Sequence, residues 1–256
     1  MNVISPNASA GPVSGGPRVR AVLFDLGGTL VDERDFTGWA ELARSVYVDV
    51  LPEQLAEAFA EVEAERELDG PDPDPAAGHV DFWRRVLARA TGASVPRETA
   101  SRFAANRAAC RDPPVALYSD VRRCLDQLAR GHRRLGVVSN STSEAAVRRV
   151  LDRVGILEYF ERVVSSGTEG VAKPDPEIFR RALARLGIGA SEALFVGNLP
   201  RTDALAARAA GLHSVWLHRD GTGLGDDPPE ITSLLEVPLV VRQIEAGGGP
   251  SPAAHR

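Results

Sequence analysis

The stretch AVLFDLGGTL, residues 21–30, decides how the rest of the chain is read. Four apolar residues run into a single carboxylate, Asp25, and two glycines and Thr29 follow closely. A short unbroken apolar run suits a strand buried on both faces, as in a parallel sheet. An acid at the tip of such a strand, with small backbone and a hydroxyl beside it, stands at the sheet's carboxyl edge. Ligands bind at that edge in open α/β folds.

Working outward, the same pattern recurs in RLGVVS (134–139), RVVSS (162–166), ALFVG (193–197) and HSVWL (213–217). Helical stretches separate these runs, around 119–130, 142–154, 176–186 and 202–210. Short buried strands alternating with helices predict an α/β fold, a doubly wound, Rossmann-like parallel sheet. Residues 34–113 break the rhythm and read as helices only: 37–51, 52–69, 80–92 and 96–110, with a Pro/Gly/Asp loop at 69–79. An all-α block inserted after the first strand is placed to act as a cap over the sheet's edge. The expected division is thus a core of 18–33 and 114–245 with a helical cap of 34–113. Residues 1–17 and 246–256 read as a disordered leader and tail.

Composition narrows the function. The chain has 256 residues, is 43% hydrophobic, and carries a net charge of −5. A net acidic chain with few aromatics argues against bulk nucleic-acid binding. No run is long enough to span a membrane, and the first 18 residues lack a signal-peptide core. With Cys110 and Cys124 as the only cysteines, no disulfide framework is expected and a reducing cytoplasm is. Charge also divides the insert: 53–81 is strongly acidic, while 82–134 holds twelve arginines against four acids. A solvated helix face accounts for this more economically than a basic lid that draws an anion. Of 30 basic residues, 29 are arginine, a bias in keeping with a GC-rich bacterial genome. The single lysine is Lys173. A position that stays lysine under that bias needs a compact ammonium rather than a planar fork.

Four polar signals sit at or just beyond predicted strand ends: Asp25 with Thr29, Ser139 with Asn140, Lys173 in GVAKPDPEIF, and Asn198 with Asp203 in FVGNLPRTD. Each alone has a bland explanation as a helix cap, a turn or a first-turn acid. In a parallel sheet all four converge on one edge.

With FDLGGTL, GVVSN, GVAKPDPEIF and FVGN…TDALAARAAGL in this order, the chain resembles the haloacid dehalogenase-like hydrolases, in the branch with a helical cap after the first motif. The resemblance runs from about 20 to 241. It implies that Asp25 is a nucleophile that forms a covalent aspartyl intermediate. It implies further that Gly28, Thr29 and Ser139 hold a small anionic metabolite, that Asn140 supports their loop, and that Lys173 offsets charge in the transition state. Mg²⁺ would be held by Asp25, the carbonyl of Gly27 and the side chain of Asn198, with Asp203 steadying metal-bound water.

Two positions depart from the family's pattern. Gly27 stands where its phosphatases usually carry a second aspartate as general acid and base. Asn198 stands where they usually carry a metal-binding aspartate. Losing a general acid costs about 10²–10⁴-fold, so another acid has to stand in, or the leaving group needs little protonation. Asp32, Glu33 and Asp35 are the nearest by sequence. A Mg²⁺-assisted phosphatase is the favoured reading. A metal-free 2-haloacid dehalogenase also suits both losses, although that group has tyrosines where this chain has Gly27 and Phe179. A member that binds without turnover is the third. Phosphonate cleavage through a Schiff base is excluded, because it needs a lysine in the cap and there is none.

Overall fold

A computed structural model describes residues 18–69, 75–109, 114–219, 221 and 229–247. The expected leader, most of the expected tail and Cys110 lie outside them. In chain order the elements are β1 (Ala21–Phe24), β2 (Val31–Asp32), α1 (Phe36–Ser45), α2 (Pro52–Asp69), α3 (Pro75–Thr91), α4 (Arg97–Ala109) and β3 (Ala116–Leu117). There follow α5 (Val121–Arg130), β4 (Arg134–Ser139), α6 (Glu144–Arg153), β5 (Arg162–Ser165), α7 (Ser166–Glu169) and α8 (Glu177–Leu186). The last are β6 (Ala193–Gly197), a π-helical turn (Pro200–Leu205), α9 (Ala206–Ala209), β7 (His213–Leu217), β8 (Glu230–Ile231) and α10 (Val237–Glu245).

Six strands form one parallel sheet in the order β5-β4-β1-β6-β7-β8. Its pleat explains why the strands read as solid apolar runs. Val22 and Phe24 of β1, with Leu194 and Val196 of β6, face a layer built by α5, α6 and α10. Ala21 and Leu23, with Ala193 and Phe195, face α8 and α9 on the other side. Both sides of each strand are therefore dry, which calls for apolar residues at every position rather than alternate ones. The strand order reverses at β1: β4 and β5 lie on one side of it, and β6 to β8 on the other. Asp25 directly follows β1, and its N–H donates to Val196 O at 2.9 Å.

Helices α1–α4 pack around a second core of their own. Trp39, Phe59, Phe82, Trp83 and Phe103 meet there as tilted and edge-on ring pairs 5.1–5.9 Å apart. The charge division of the insert resolves into pairs across its helices. Arg85 and Arg89 of α3 bind Glu61 and Glu65 of α2, and Arg84 binds Asp81. These arginines stay partly exposed on the helix surface, with acids of the insert as their partners. On the strands that connect insert and core, Val31 pairs antiparallel with Leu117 and Asp32 with Ala116.

Three helix readings need correction. The helix expected over 37–51 ends at Ser45, because Tyr47 adopts a left-handed φ of 63° and Pro52 keeps the residues before it extended. The segment 69–79, expected as a loop, is helical from Pro75, where a proline fits a first turn without cost. The helix expected over 202–210 begins as a π turn at Pro200. In that turn Leu199 O accepts from the N–H groups of both Asp203 and Ala204.

Phe103 is fully buried, and its ring lies 5.1 Å from that of Trp83. Phe103→Ala is expected to lower stability by about 3–5 kcal/mol, as a large cavity does. Chemical denaturation followed by tryptophan fluorescence measures it.

Candidate active site

The site is built from three strand ends and one loop. β1 delivers Asp25, β4 delivers Ser139 and Asn140, and β6 delivers Asn198 and the turn that carries Asp203. Lys173 comes from the loop between α7 and α8. Its ammonium donates to Asp25 Oδ1 and to Asp203 Oδ1, each at 2.6 Å, and lies 5.5 Å from the centre of the Phe195 ring. All three charged groups are buried: Lys173 is 5% exposed, Asp25 8% and Asp203 not at all. Burial alone would push the lysine down, but the carboxylates of Asp203 and Asp25 outweigh it and hold it above its usual range. Burial pushes Asp203 up, and the adjacent ammonium draws it back.

Side-chain amides fix this arrangement. Asn140 Nδ2 donates to Lys173 O at 2.8 Å, and Lys173 N donates to Asn140 Oδ1 at 2.9 Å. Two antiparallel bonds of this kind hold the lysine's backbone as a strand neighbour would. Asp203 spends its other oxygen on Leu199 N, at 3.0 Å. Gly28 has a φ of 76°, and a Cβ there would collide with the Asn198 side chain. Only glycine meets both demands. Thr29 is fully buried, and its hydroxyl donates to Asn198 Oδ1 at 3.3 Å. Ser139 is buried at the end of β4, beside β1. Asp25, Asn140, Lys173 and Asp203 are thus joined by direct bonds, as are Thr29 and Asn198, while Gly27 and Gly28 line the turn between.

Among the described residues no group of three or more His, Cys, Asp and Glu side chains could hold a metal. The donors on hand are one carboxylate (Asp25), the Asn198 amide oxygen and the Gly27 carbonyl. Oxygen donors of this kind fit a hard divalent cation such as Mg²⁺, with less affinity than a second carboxylate would give.

Two contributors escape sequence reading. Arg219, just beyond β7, donates to the carbonyls of Gly28 and Thr29, at 3.3 and 2.6 Å, and so clamps the turn after Asp25. Its guanidinium is held by Asp120 at 3.0 and 3.2 Å and lies over the Tyr118 ring. Its place beyond a strand end was the one available signal. From the insert, Glu67 accepts from Thr202 Oγ1 at 2.5 Å and from the N–H groups of Arg201 and Thr202. Nearby Glu63 is pushed up to about 7, first by burial and then by Glu67 and Asp25 against the pull of Arg34 and Arg66.

The three acids leading into the insert also separate. Asp32 is taken up by Arg34, whose Nε lies 2.8 Å away. Asp35 caps α1 by accepting from Gly38 N at 2.9 Å. Glu33 is raised by burial and by the Asp25 and Asp32 charges, against Arg107.

A family model for haloacid dehalogenase-like hydrolases matches residues 19–211. The chain belongs to this family. It is a hydrolase with phosphatases among its relatives. The chain is 35% identical over 156 residues to the phosphoserine phosphatase of Thermus thermophilus, covering 60% of this chain and 59% of that enzyme. It is 31% identical over 209 residues to the glyceraldehyde 3-phosphate phosphatase of Pyrococcus abyssi, covering 77% and 81%. Among solved structures it is similar to a HAD phosphatase from Thermococcus onnurineus (23% identity, TM-score 0.57, covering 90% and 99%). It is equally similar to a 2-haloacid dehalogenase from Pseudomonas syringae (27% identity, TM-score 0.57, covering 88% and 99%). Both architectures match alike, so fold does not separate the two chemistries. Among the described residues no helix is long and apolar enough to cross a membrane.

Burial would raise Asp120, but the bonds from Arg219 and Leu234 N outweigh it and hold the carboxyl below its ordinary 3.8. A depressed value contributes stability above the unfolded pKa, and that stability is lost as pH falls through the folded one. Asp120→Asn is therefore expected to cost about 1.5–3 kcal/mol at neutral pH. Its unfolding midpoint should converge on that of the wild type in acid below the ordinary carboxyl range. A deficit independent of pH would contradict this account of the clamp.

Proposed function

We propose that the protein is a phosphatase that removes phosphate from a small phosphorylated metabolite through an aspartyl-phosphate at Asp25. The observation that carries this reading is the buried Lys173 ammonium held 2.6 Å from both Asp25 and Asp203. A buried carboxylate faced by a fixed cation is well placed to act as a nucleophile. The same cation faces the negative charge that gathers when a phosphoryl group arrives. The phosphatases among the relatives support this choice.

In the proposed reaction an Asp25 oxygen attacks phosphorus while the alcohol leaves, and water then releases phosphate from the carboxylate. Thr29 and Ser139 hold the phosphoryl oxygens, whereas the Gly28 N–H is committed to Val31 O at 2.8 Å and shapes the turn instead. Asp203 acts as a positioning residue, because its oxygens aim the ammonium and close the turn at Leu199. Mg²⁺, held by Asp25, Gly27 O and Asn198 Oδ1, would neutralise phosphoryl charge when bound. The acidic chain and the reducing setting expected from its cysteines are in keeping with a cytoplasmic metabolic enzyme.

The test is phosphate release from a panel containing phosphoserine, glyceraldehyde 3-phosphate and phosphoglycolate, with Mg²⁺ and with chelator. Release that Mg²⁺ strengthens, and that falls by at least about 10³-fold in Asp25→Asn, is the expected result, as for loss of a nucleophile. Halide release from 2-chloropropionate that ignores chelator would replace the reading with a dehalogenase.

A further inference from the structure

The loss of an acid at position 27 leaves a space, and the fold fills it. A Cβ built on Gly27 would lie 2.8 Å from Glu33 Oε2 and 3.5 Å from Glu33 Cδ. The carboxyl group of Glu33 thus occupies the region into which a side chain at 27 would project, two residues past Asp25. Of the three acids in this segment, Asp32 is committed to Arg34 and Asp35 to the start of α1. Glu33 alone is directed at the vacated position. Its backbone is steadied on both sides: β2 precedes it and pairs with β3, and Glu33 O accepts from Asp35 N at 3.1 Å. Gly27 itself bridges to Val31, so the turn that bears the gap is tied to the strand that delivers the acid.

The geometry points to Glu33 as the general acid and base of this site, supplied from the core–cap connection in place of residue 27. The inference rests on the phosphatase reading and adds a residue to it. As the bond between phosphorus and the ester oxygen breaks, the Glu33 carboxyl gives its proton to the departing alkoxide, which leaves as the alcohol. The Glu33 carboxylate then takes a proton from the attacking water. The new oxygen bonds to phosphorus, the bond from phosphorus to Asp25 breaks, and both carboxyl groups return to their starting state.

Leaving-group dependence tests this. An alkyl phosphate, phosphoserine, needs a proton on its leaving oxygen, whereas 4-nitrophenyl phosphate departs as a stable phenolate and does not. Glu33→Gln keeps size and shape, so thermal unfolding should match the wild type. Its kcat should fall by about 10²-fold or more on phosphoserine, the usual share of a general acid. Its first-turnover burst of 4-nitrophenolate should be little changed, because the step slowed there is release of phosphate by water. The double variant Gly27→Asp, Glu33→Ala returns an acid to position 27 and empties the space it needs, and should recover turnover of phosphoserine. An unchanged phosphoserine rate in Glu33→Gln, an equal loss in both first steps, or no recovery in a folded double variant would overturn the assignment. Asp25→Asn run alongside separates the two readings. If wild type and Asp25→Asn release phosphate alike, the phosphatase reading falls and takes this one with it.

Discussion

One ammonium between two carboxylates governs this molecule. Burying three charges costs several kcal/mol for each ion before their attraction is counted, so the arrangement persists only where the surroundings fix it closely. The fold commits much of its carboxyl edge to that end. Asn140 grips the lysine's backbone from both sides, Leu199 N holds the far oxygen of Asp203, and Val196 O pins the backbone at Asp25. None of these groups would stay in register unless β1, β4 and β6 were neighbours and parallel. The sheet order and the triad are one constraint seen at two scales.

A flexible, strongly hydrated ammonium can sit between two carboxylates without the in-plane fork that arginine demands. That gives physical sense to the single lysine in a chain whose other cations are all arginine. It also explains why arginine serves elsewhere. At Arg219 a planar group must meet two carbonyls, a carboxylate and an aromatic ring at once, and a point charge could not satisfy that geometry.

The sequence displayed the frame well, because fully buried parallel strands write themselves as solid apolar runs with polar residues at their ends. Asp25, Asn140, Lys173 and Asp203 were visible for that reason. What stayed hidden depended on long-range placement. Apart from its place just beyond β7, nothing local distinguishes Arg219 from the other arginines, nor Glu33 from Asp32 and Asp35, since only the folded path shows which acid reaches Gly27. The π turn at Pro200–Leu205 differs from an α-helix by one hydrogen-bond register, which composition does not encode. The early end of α1 required knowing that Tyr47 goes left-handed, and the start of α3 hid in a stretch whose prolines resemble a loop.

Glu67 reaches from α2 to three donors on the turn that carries Asp203. The helical insert is therefore fastened to the piece of core that orients the lysine. Pulling α2 away from the core would break that grip and free the turn beneath it, so the insert and the lysine's seat are mechanically joined through one carboxylate.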